Sequence, residues 1–182
     1  MEEIEVKILD IDLALITARL HNLGARKVYD GKVITTWYKH KKSVLDESQS
    51  LRIRSLEDHA ELVLKEKIDL REAKIMKELQ TKFGDVEQLH LILMAMGFRA
   101  SGRLPKHRVS YHLGDIHYDI DTIPSIPTYL EVEAPTVERM NEGVGLIGYA
   151  PSDGLPLGTK KLLDRYEKGH LLLHYLHTTS IK

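Results

Sequence analysis

The 182-residue sequence contains no cysteine, which excludes a disulfide framework, a thiolate nucleophile and a zinc site built on thiolates. It also lacks a long apolar run, because its most apolar stretch, Leu91 to Phe98, is far shorter than the roughly 20 residues of a membrane-spanning helix. Acidic residues at positions 2, 3 and 5 stand where a signal peptide would carry basic and apolar residues. We therefore expect a soluble, cytoplasmic protein with no membrane partner.

The sequence has little net charge and few aromatic residues. Its 26 Lys and Arg residues nearly balance 27 Asp and Glu residues, which gives a formal charge of −1, and aromatic residues make up 6%. Such a chain has no general excess of positive charge for nucleic acid and few rings on which bases could stack. We therefore expect a small-molecule partner and no nucleic acid. The length is typical of one domain, placed at residues 1–182, and leaves open whether the chain forms a homodimer.

Three helices are predicted from apolar residues that recur at helical spacing between a capping side chain and a glycine. They extend from Asp12 to Gly24, from Asp85 to Gly97 and from Thr136 to about Gly148. Each follows a short acidic strand, so a unit of strand, helix and glycine occurs three times. A fourth helical run is predicted from Lys161 to about Leu176.

Eight strands are predicted from alternating apolar and polar residues. They are Glu3–Lys7, Lys32–Lys39, Ser50–Ser55, Glu61–Lys67, Glu78–Lys82, Lys106–His112, Ile116–Asp121 and Leu130–Glu133. The dipeptides Asp30-Gly31 and Gly114-Asp115 are typical of turns, and the second is placed to join two strands as a hairpin. Because strands and helices do not alternate regularly, the pattern favours a β-rich α+β fold over a doubly wound parallel sheet.

Most of the predicted strands have one apolar face and one ionic face. Residues i and i+2 of a strand share a face, which gives these rows: Glu3, Glu5 and Lys7; Arg52 and Arg54; Lys65 and Lys67; Lys106 and Arg108; Asp119 and Asp121; Glu131 and Glu133. One interpretation is an ordinary sheet with a solvated outer face. The other is a closed barrel whose ionic faces point inward. Such an interior would suit a metal–polyphosphate complex, because Mg²⁺ and Mn²⁺ take carboxylate oxygens while Arg and Lys take phosphate oxygens.

The order of these residues resembles that of the CYTH superfamily, the group of class IV adenylyl cyclases and thiamine triphosphatases also called triphosphate tunnel metalloenzymes. The family's N-terminal E-x-E-x-K motif corresponds to Glu3–Lys7. It is followed in order by Arg52-Ile-Arg54, Leu62-Val-Leu-Lys65, Glu78, Lys106-His-Arg108, Asp119-Ile-Asp121 and Glu131-Val-Glu133. The resemblance implies an α+β, mostly antiparallel fold, namely an eight-stranded closed, tunnel-like barrel with helices packed outside.

The resemblance also implies roles for individual residues. It implies that one or two Mg²⁺ or Mn²⁺ ions are held by Glu3, Glu5, Asp121, Glu131 and Glu133. It implies that phosphates are bound by Lys7, Arg52, Arg54, Lys65, Lys106 and Arg108, with Glu5, Glu133 and Lys65 taking part in catalysis. The role of Glu78 stays open, because family members commonly carry a second acidic residue where this chain has Gln80. The roles of Asp119 and Lys160 stay open as well.

The implied activity is metal-dependent hydrolysis of a triphosphate: inorganic tripolyphosphate, thiamine triphosphate or a nucleoside triphosphate. A class IV adenylyl cyclase, which converts ATP to cyclic AMP and pyrophosphate, would use the same phosphate-binding residues. These motifs therefore do not separate the two enzymes. A non-catalytic module that binds polyphosphate is a third alternative, and the intact acidic pairs argue against it.

Three C-terminal histidines have the spacing of metal ligands on one helix face. They are His170, His174 and His177. Since no acidic partner of the His-Glu-x-x-His kind accompanies them, an exposed helix face is the better interpretation, and their role stays open.

Overall fold

The computed structural model describes residues 2–69 and 72–177, which form eight strands and five α-helices. In chain order the elements are β1 (Glu2–Ile8), α1 (Leu13–Asn22), β2 (Arg26–His40), β3 (Gln49–Ser55), β4 (Ala60–Asp69), β5 (Lys74–Phe83), α2 (Val86–Ala95), β6 (Phe98–Leu113), β7 (Ile116–Thr122), β8 (Tyr129–Ala134), α3 (Val137–Leu146), a short 3₁₀ helix (Pro151–Asp153), α4 (Thr159–Arg165) and α5 (Leu171–His177). In this part of the chain, no helix combines the length and the apolar character needed to cross a membrane.

The eight strands form one closed antiparallel barrel in the order β1-β5-β4-β3-β2-β6-β7-β8. β1 closes the ring, because it pairs with β5 at Glu3 and Met76 and with β8 at Glu5 and Glu133. The helices surround this ring. The predicted α+β fold, an antiparallel tunnel with helices outside, is therefore confirmed.

The predicted helix starts are also confirmed. The carboxylate of Asp12 accepts a hydrogen bond from the Leu15 amide at 3.0 Å, and Asp85 caps α2 in the same way. The hydroxyl of Thr136 accepts from the Arg139 amide at 3.2 Å. These caps satisfy amide groups that the first turn of each helix leaves without a partner.

Three apolar clusters fill the space between the barrel and the helices. α1 and α3 pack on β1, β7 and β8, where Leu20 and Val144 are fully buried. α2 covers β2 and β3 through Leu93, and α4 packs across one end of the barrel through Leu162 and Leu163. Burying a side chain of this size contributes about 1.5–3 kcal/mol. Because the apolar face of each strand packs against the helices outside the barrel, its ionic face points into the barrel.

Several sequence predictions about the elements are wrong or incomplete. Asp30-Gly31 is not a turn, because β2 continues through both residues and pairs them with Val109 and Arg108 of β6. The predicted C-terminal helix is two helices, α4 and α5, separated by a break in which Glu167 has a φ of 57°. β6 begins at Phe98, eight residues earlier than predicted. The predicted Gly114-Asp115 hairpin is confirmed, and Gly114 has the positive φ, 60°, that such a turn needs.

Candidate active site

The barrel encloses a cavity of about 810 Å³ that is lined mainly by charged side chains. Carboxylates and cationic groups line it in nearly equal number, and they come from every strand except β2, which contributes Val28, Tyr29, Val33, Thr35 and Trp37. A cavity of this size accommodates a small charged molecule. Of the two interpretations of the ionic strand faces, the enclosed one is therefore correct.

Three carboxylates converge on one wall of this cavity. Glu3 and Glu5 come from β1 and Glu133 comes from β8, and we call them the acidic trio. One carboxylate oxygen from each lies within 4.8 Å of the other two. The register explains the convergence, since Glu5 and Glu133 are direct partners across β1 and β8.

Two lysines hold Glu5 in its charged form. The ammonium groups of Lys7 and Lys74 lie 2.9 and 2.8 Å from the same oxygen, Oε1. Burial alone would raise the pKa of Glu5, but the two lysines outweigh it and hold that pKa well below its usual range. Glu5 therefore stays ionised.

Glu133 has the opposite electrostatic surroundings. The nearest basic group described for it is Nδ1 of His117, at 3.9 Å. Burial, followed by repulsion from the Glu3 and Glu5 carboxylates, raises the pKa of Glu133 to about 8. Burial also raises the pKa of Glu3, although Lys65 opposes the shift. Three carboxylates this close repel one another when they are charged, and a bound cation would relieve that repulsion.

Arginines of β3 face the trio across the cavity, because β3 lies four strands from β8 around the ring. Arg54 contacts Glu61 at 3.2 Å, whereas the guanidinium of Arg52 lies 3.8 Å from Glu78. Nε of Arg52 is buried without a hydrogen-bond acceptor. Burial and the neighbouring Arg54 lower the pKa of Arg52 to about 10. This wall therefore has donor capacity for an anion.

Lys65 connects the two walls. Its ammonium group contacts the carboxylate of Glu3 and lies 2.8 Å from that of Glu78. It is a direct register partner of Glu78 across β4 and β5. Its position places one cation between the acidic trio and the arginines.

A third cluster surrounds Arg108 on β6. Its guanidinium contacts Asp119 and lies 2.6 Å from both Asp121 and Glu131. Burial opposes the charge of Arg108, but these carboxylates raise its pKa well above the ordinary value. Lys106 lies 2.5 Å from Asp121, which also accepts a hydrogen bond from the Tyr129 hydroxyl. Asp121 is thus engaged by several donors.

The structure brings most of the predicted site residues together. The cavity is lined by Glu3, Glu5, Lys7, Arg52, Arg54, Lys65, Lys106, Arg108, Glu131 and Glu133, and by Asp119 and Glu78. Asp121 is fully buried beneath the lining residues Lys106 and Arg108, and Glu131 pairs with Lys7 at 2.7 Å. The metal-binding role predicted for Asp121 and Glu131 stays a prediction.

Other residues singled out in the sequence lie elsewhere. Lys67 and Lys160 are exposed and do not line the cavity. Lys67 falls where the register of β4 against β5 is irregular, which breaks the alternation of faces. His170 and His174 are exposed at α5, outside the barrel, and the side chain of His177 lies outside the described part of the chain.

Sequence reasoning missed three charged residues of the cavity. Lys74 and Lys82 lie on β5, four residues before and four residues after Glu78, and Glu61 lies on β4, four residues before Lys65. Each therefore shares the inward face with its predicted neighbour. Beginning the β5 strand at Lys74 instead of Glu78 would have identified Lys74 from alternation alone.

Solved structures of other proteins share this fold. The PH1012 protein of Pyrococcus horikoshii is 20% identical with a TM-score of 0.76, and the alignment covers 88% of this chain and 98% of that one. A Vibrio parahaemolyticus protein described as a candidate adenylate cyclase is 14% identical, with a TM-score of 0.76 and coverage of 89% and 97%. HpAC1 of Hippeastrum, a candidate adenylyl cyclase described as having a dominant triphosphatase activity, is 16% identical, with a TM-score of 0.61 and coverage of 91% and 96%.

The sequence itself identifies the family. No curated protein matches it. A family model described as the CYTH domain, however, matches residues 1–142, which include all eight strands of the barrel. Together with the closed barrel and its charged interior, this match shows that the chain belongs to the CYTH family.

Proposed function

We propose that this protein is a divalent-metal-dependent hydrolase that removes the terminal phosphate of a triphosphate. The observation that carries the proposal is the convergence of Glu3, Glu5 and Glu133 opposite Arg52 and Arg54 inside one closed cavity. A ligand that pairs with both the carboxylates and the arginines must combine positive and negative charge, as a metal–triphosphate complex does. The triphosphatase activity stated for the Hippeastrum protein of the same fold is consistent with this reading.

The acidic trio fits a hard divalent cation. Mg²⁺ and Mn²⁺ prefer oxygen ligands, and three carboxylate oxygens within 4.8 Å of one another provide them on one wall. We propose that Glu3, Glu5 and Glu133 hold the metal, one or two ions in all. The contacts of Asp121 and Glu131 favour another task for these two residues, which is to orient Arg108, Lys106 and Lys7.

The cationic side chains would bind the phosphates. Arg52 and Arg54 approach from β3 and Lys65 from β4, and Lys106 and Arg108 approach from β6. Arginine suits this task, because its planar guanidinium can donate two hydrogen bonds to one phosphate. Phosphate binding would therefore exchange the carboxylate contacts described above for phosphate contacts.

The chemical step needs little beyond positioning and charge neutralisation. A bound metal ion would supply positive charge at the phosphate oxygens. We propose that Glu133, the trio member with the fewest cationic contacts, is deprotonated in the loaded site and takes a proton from the attacking water. The water oxygen bonds to the terminal phosphorus while the bond to the bridging oxygen breaks, and orthophosphate leaves. Lys65 and Arg54 would offset the charge that develops on the leaving diphosphate.

Product identification tests this function. The protein is incubated with tripolyphosphate, ATP or thiamine triphosphate and Mg²⁺ or Mn²⁺, and the products are identified by phosphorus NMR and chromatography. Release of orthophosphate is the expected result. Cyclic AMP with pyrophosphate would instead identify a cyclase, and binding without turnover would identify a non-catalytic module.

Two substitutions test the site within the same assay. Glu5→Gln removes a metal-binding carboxylate and Arg54→Ala removes a phosphate-binding cation, so each is expected to lower kcat about a hundredfold or more. Neither change removes apolar packing, so the circular dichroism spectrum should stay that of the wild type. Glu87→Gln, on the exposed first turn of α2, is the matched control and should keep full activity. Near-normal turnover in either site variant would contradict the proposal.

A further inference from the structure

The two ends of the cavity differ. At one end the C-terminal segment crosses the barrel, where the backbone of Leu155 exchanges two 2.9 Å hydrogen bonds with Lys7. Thr159, at the start of α4, lines the cavity there. Leu162 and Leu163 of α4 pack against the cavity residues Leu104 and Tyr129. The chain therefore covers this end, and the opposite end is the entrance for a ligand.

Three ring-bearing side chains line the cavity toward the entrance. Tyr29 on β2, His112 on β6 and His117 on β7 line the cavity from three consecutive strands. His112 and His117 are register partners, and their rings stack with centroids 4.0 Å apart and an interplanar angle of 15°. The side chain of His117 is 43% exposed. The stacked pair therefore presents an accessible ring surface at the entrance.

A β-bulge adds an apolar side chain to this surface. The register of β2 against β6 shifts between Lys27 and Tyr29, so Val28 is an extra residue in β2. Because of the bulge, both Val28 and Tyr29 line the cavity instead of alternating between its faces. The Tyr29 hydroxyl donates to the Lys32 carbonyl at 2.8 Å, which leaves the ring of Tyr29 as its contact surface. We call Val28, Tyr29, His112 and His117 the entrance rim.

The chemistry of the entrance rim differs from that of the interior. Phosphates have their partners deeper in the barrel, whereas flat rings and a valine bind the face of a planar group. Inorganic tripolyphosphate would leave the rim without a contact. Arg26 is the register partner of His112 and adds positive charge beside the rim, which favours a neutral ring over a cationic thiazolium.

We propose that the entrance rim is a specificity site that binds the base of a nucleoside triphosphate by stacking. The inference rests on the proposed function, because it requires the triphosphate to lie inside the barrel with its organic end outward. His112 and His117 contribute the stacking surface, and Val28 and Tyr29 flank it. The rim thereby distinguishes nucleoside triphosphates from inorganic tripolyphosphate.

The ratio of kcat/KM for ATP to kcat/KM for tripolyphosphate tests the inference, with the same metal in both assays. Base–aromatic stacking is worth roughly five- to hundredfold in affinity. We therefore expect this ratio to fall about tenfold in His112→Ala and in His117→Ala. His112→Phe and His117→Phe should restore most of it, because a ring that stacks is kept. The Kd of β,γ-methylene-ATP, measured by calorimetry, should rise in parallel with the loss.

His107→Ala is the matched control, since this imidazole is exposed on β6 and does not line the cavity. Its ratio should equal that of the wild type. If the ratio is also unchanged in both alanine variants at the rim, the specificity site is overturned while triphosphate hydrolysis stands. If the wild type neither binds nor hydrolyses either compound, the proposed function fails, and the inference fails with it.

Discussion

At the scale of single residues, neighbours decide what each carboxylate in the barrel can do. Glu5 and Glu133 are direct partners across β1 and β8, yet their pKa values shift in opposite directions. Lys7 and Lys74 lie against Glu5, whereas Glu133 faces two other carboxylates. The sequence identifies both residues from the alternation of strand faces, but it does not identify the lysine on a third strand that distinguishes them.

The raised pKa of Glu133 predicts a pH dependence of stability in the metal-free protein. With an ordinary pKa of 4.5 in the unfolded chain and about 8 in the folded protein, folding takes up a proton between these values. The stabilising contribution of the protonated group is complete below about pH 4.5 and is lost as the pH rises through 8. We expect the Tm of Glu133→Gln, measured by calorimetry, to fall less between pH 5 and 9 than that of the wild type.

Glu87→Gln provides the reference for this experiment, because the substitution is chemically the same but lies on the exposed first turn of α2. Its Tm should follow the wild-type pH dependence. Parallel curves for wild type and Glu133→Gln would show that Glu133 does not hold a proton in the folded protein.

Removing the charge of Lys74 should strengthen metal binding and weaken phosphate binding. It lies 2.8 Å from Glu5 and 14% of its side chain is exposed. Lys74→Met removes a cation beside the proposed metal ligand, so Mn²⁺ should bind about tenfold more tightly. The same loss of positive charge should weaken tripolyphosphate binding. Calorimetric titration with each ligand checks both signs.

The control for Lys74 is Lys77→Met, on the same strand but exposed outside the cavity. Neither affinity should change in this variant. A change of both affinities in the same direction in Lys74→Met would indicate that the lysine acts only through the fold.

At the scale of secondary-structure elements, local signals predict the helices well and the long strands poorly. The caps at Asp12, Asp85 and Thr136 lie where expected, because a cap depends on contacts only three residues apart. Asp30-Gly31 has the composition of a turn, but both residues pair with the neighbouring strand β6. That pairing involves residues far apart in the sequence, so no local pattern reveals it.

The packing of α3 on the sheet depends on one of its two glycines. A Cβ at Gly143 would lie 2.9 Å from Cγ2 of Ile116 and 3.2 Å from Cγ1 of Val132, both in the barrel wall. Gly143→Ala should therefore destabilise the protein by about 1–3 kcal/mol. Gly145 has nothing within 4 Å of that position, so Gly145→Ala should stabilise the helix by about 0.5–1 kcal/mol. Urea unfolding compares the two variants directly.

The two substitutions in α3 are expected to change the stability of the protein in opposite directions, which makes this comparison specific. Both variants change glycine to alanine, so helix propensity favours each equally, and any difference reports contact with the sheet. If Gly143→Ala were as stable as Gly145→Ala, α3 would not lie against β7 and β8 as described.

At the scale of the whole molecule, the closed barrel brings together charged residues that are far apart in the sequence. They form one interior with nearly equal numbers of acidic and basic side chains. Period-two alternation predicts the inward face of most strands, and the family motif predicts the order of the rows. The sequence does not show which strand's charged residues lie opposite each other across the cavity. That follows from the ring order, in which β8 lies opposite β3. The position of the entrance also depends on how the whole chain packs, since α4 covers only one end of the barrel.

An anomalous difference map at the manganese absorption edge tests the central claim most directly. The crystals are grown with Mn²⁺ and a non-hydrolysable imido analogue of tripolyphosphate. We expect a manganese peak at coordinating distance from the carboxylates of Glu3, Glu5 and Glu133, with the analogue between that peak and Arg52 and Arg54. A cavity without manganese, with the metal bound only on the outer surface of the barrel, would contradict it.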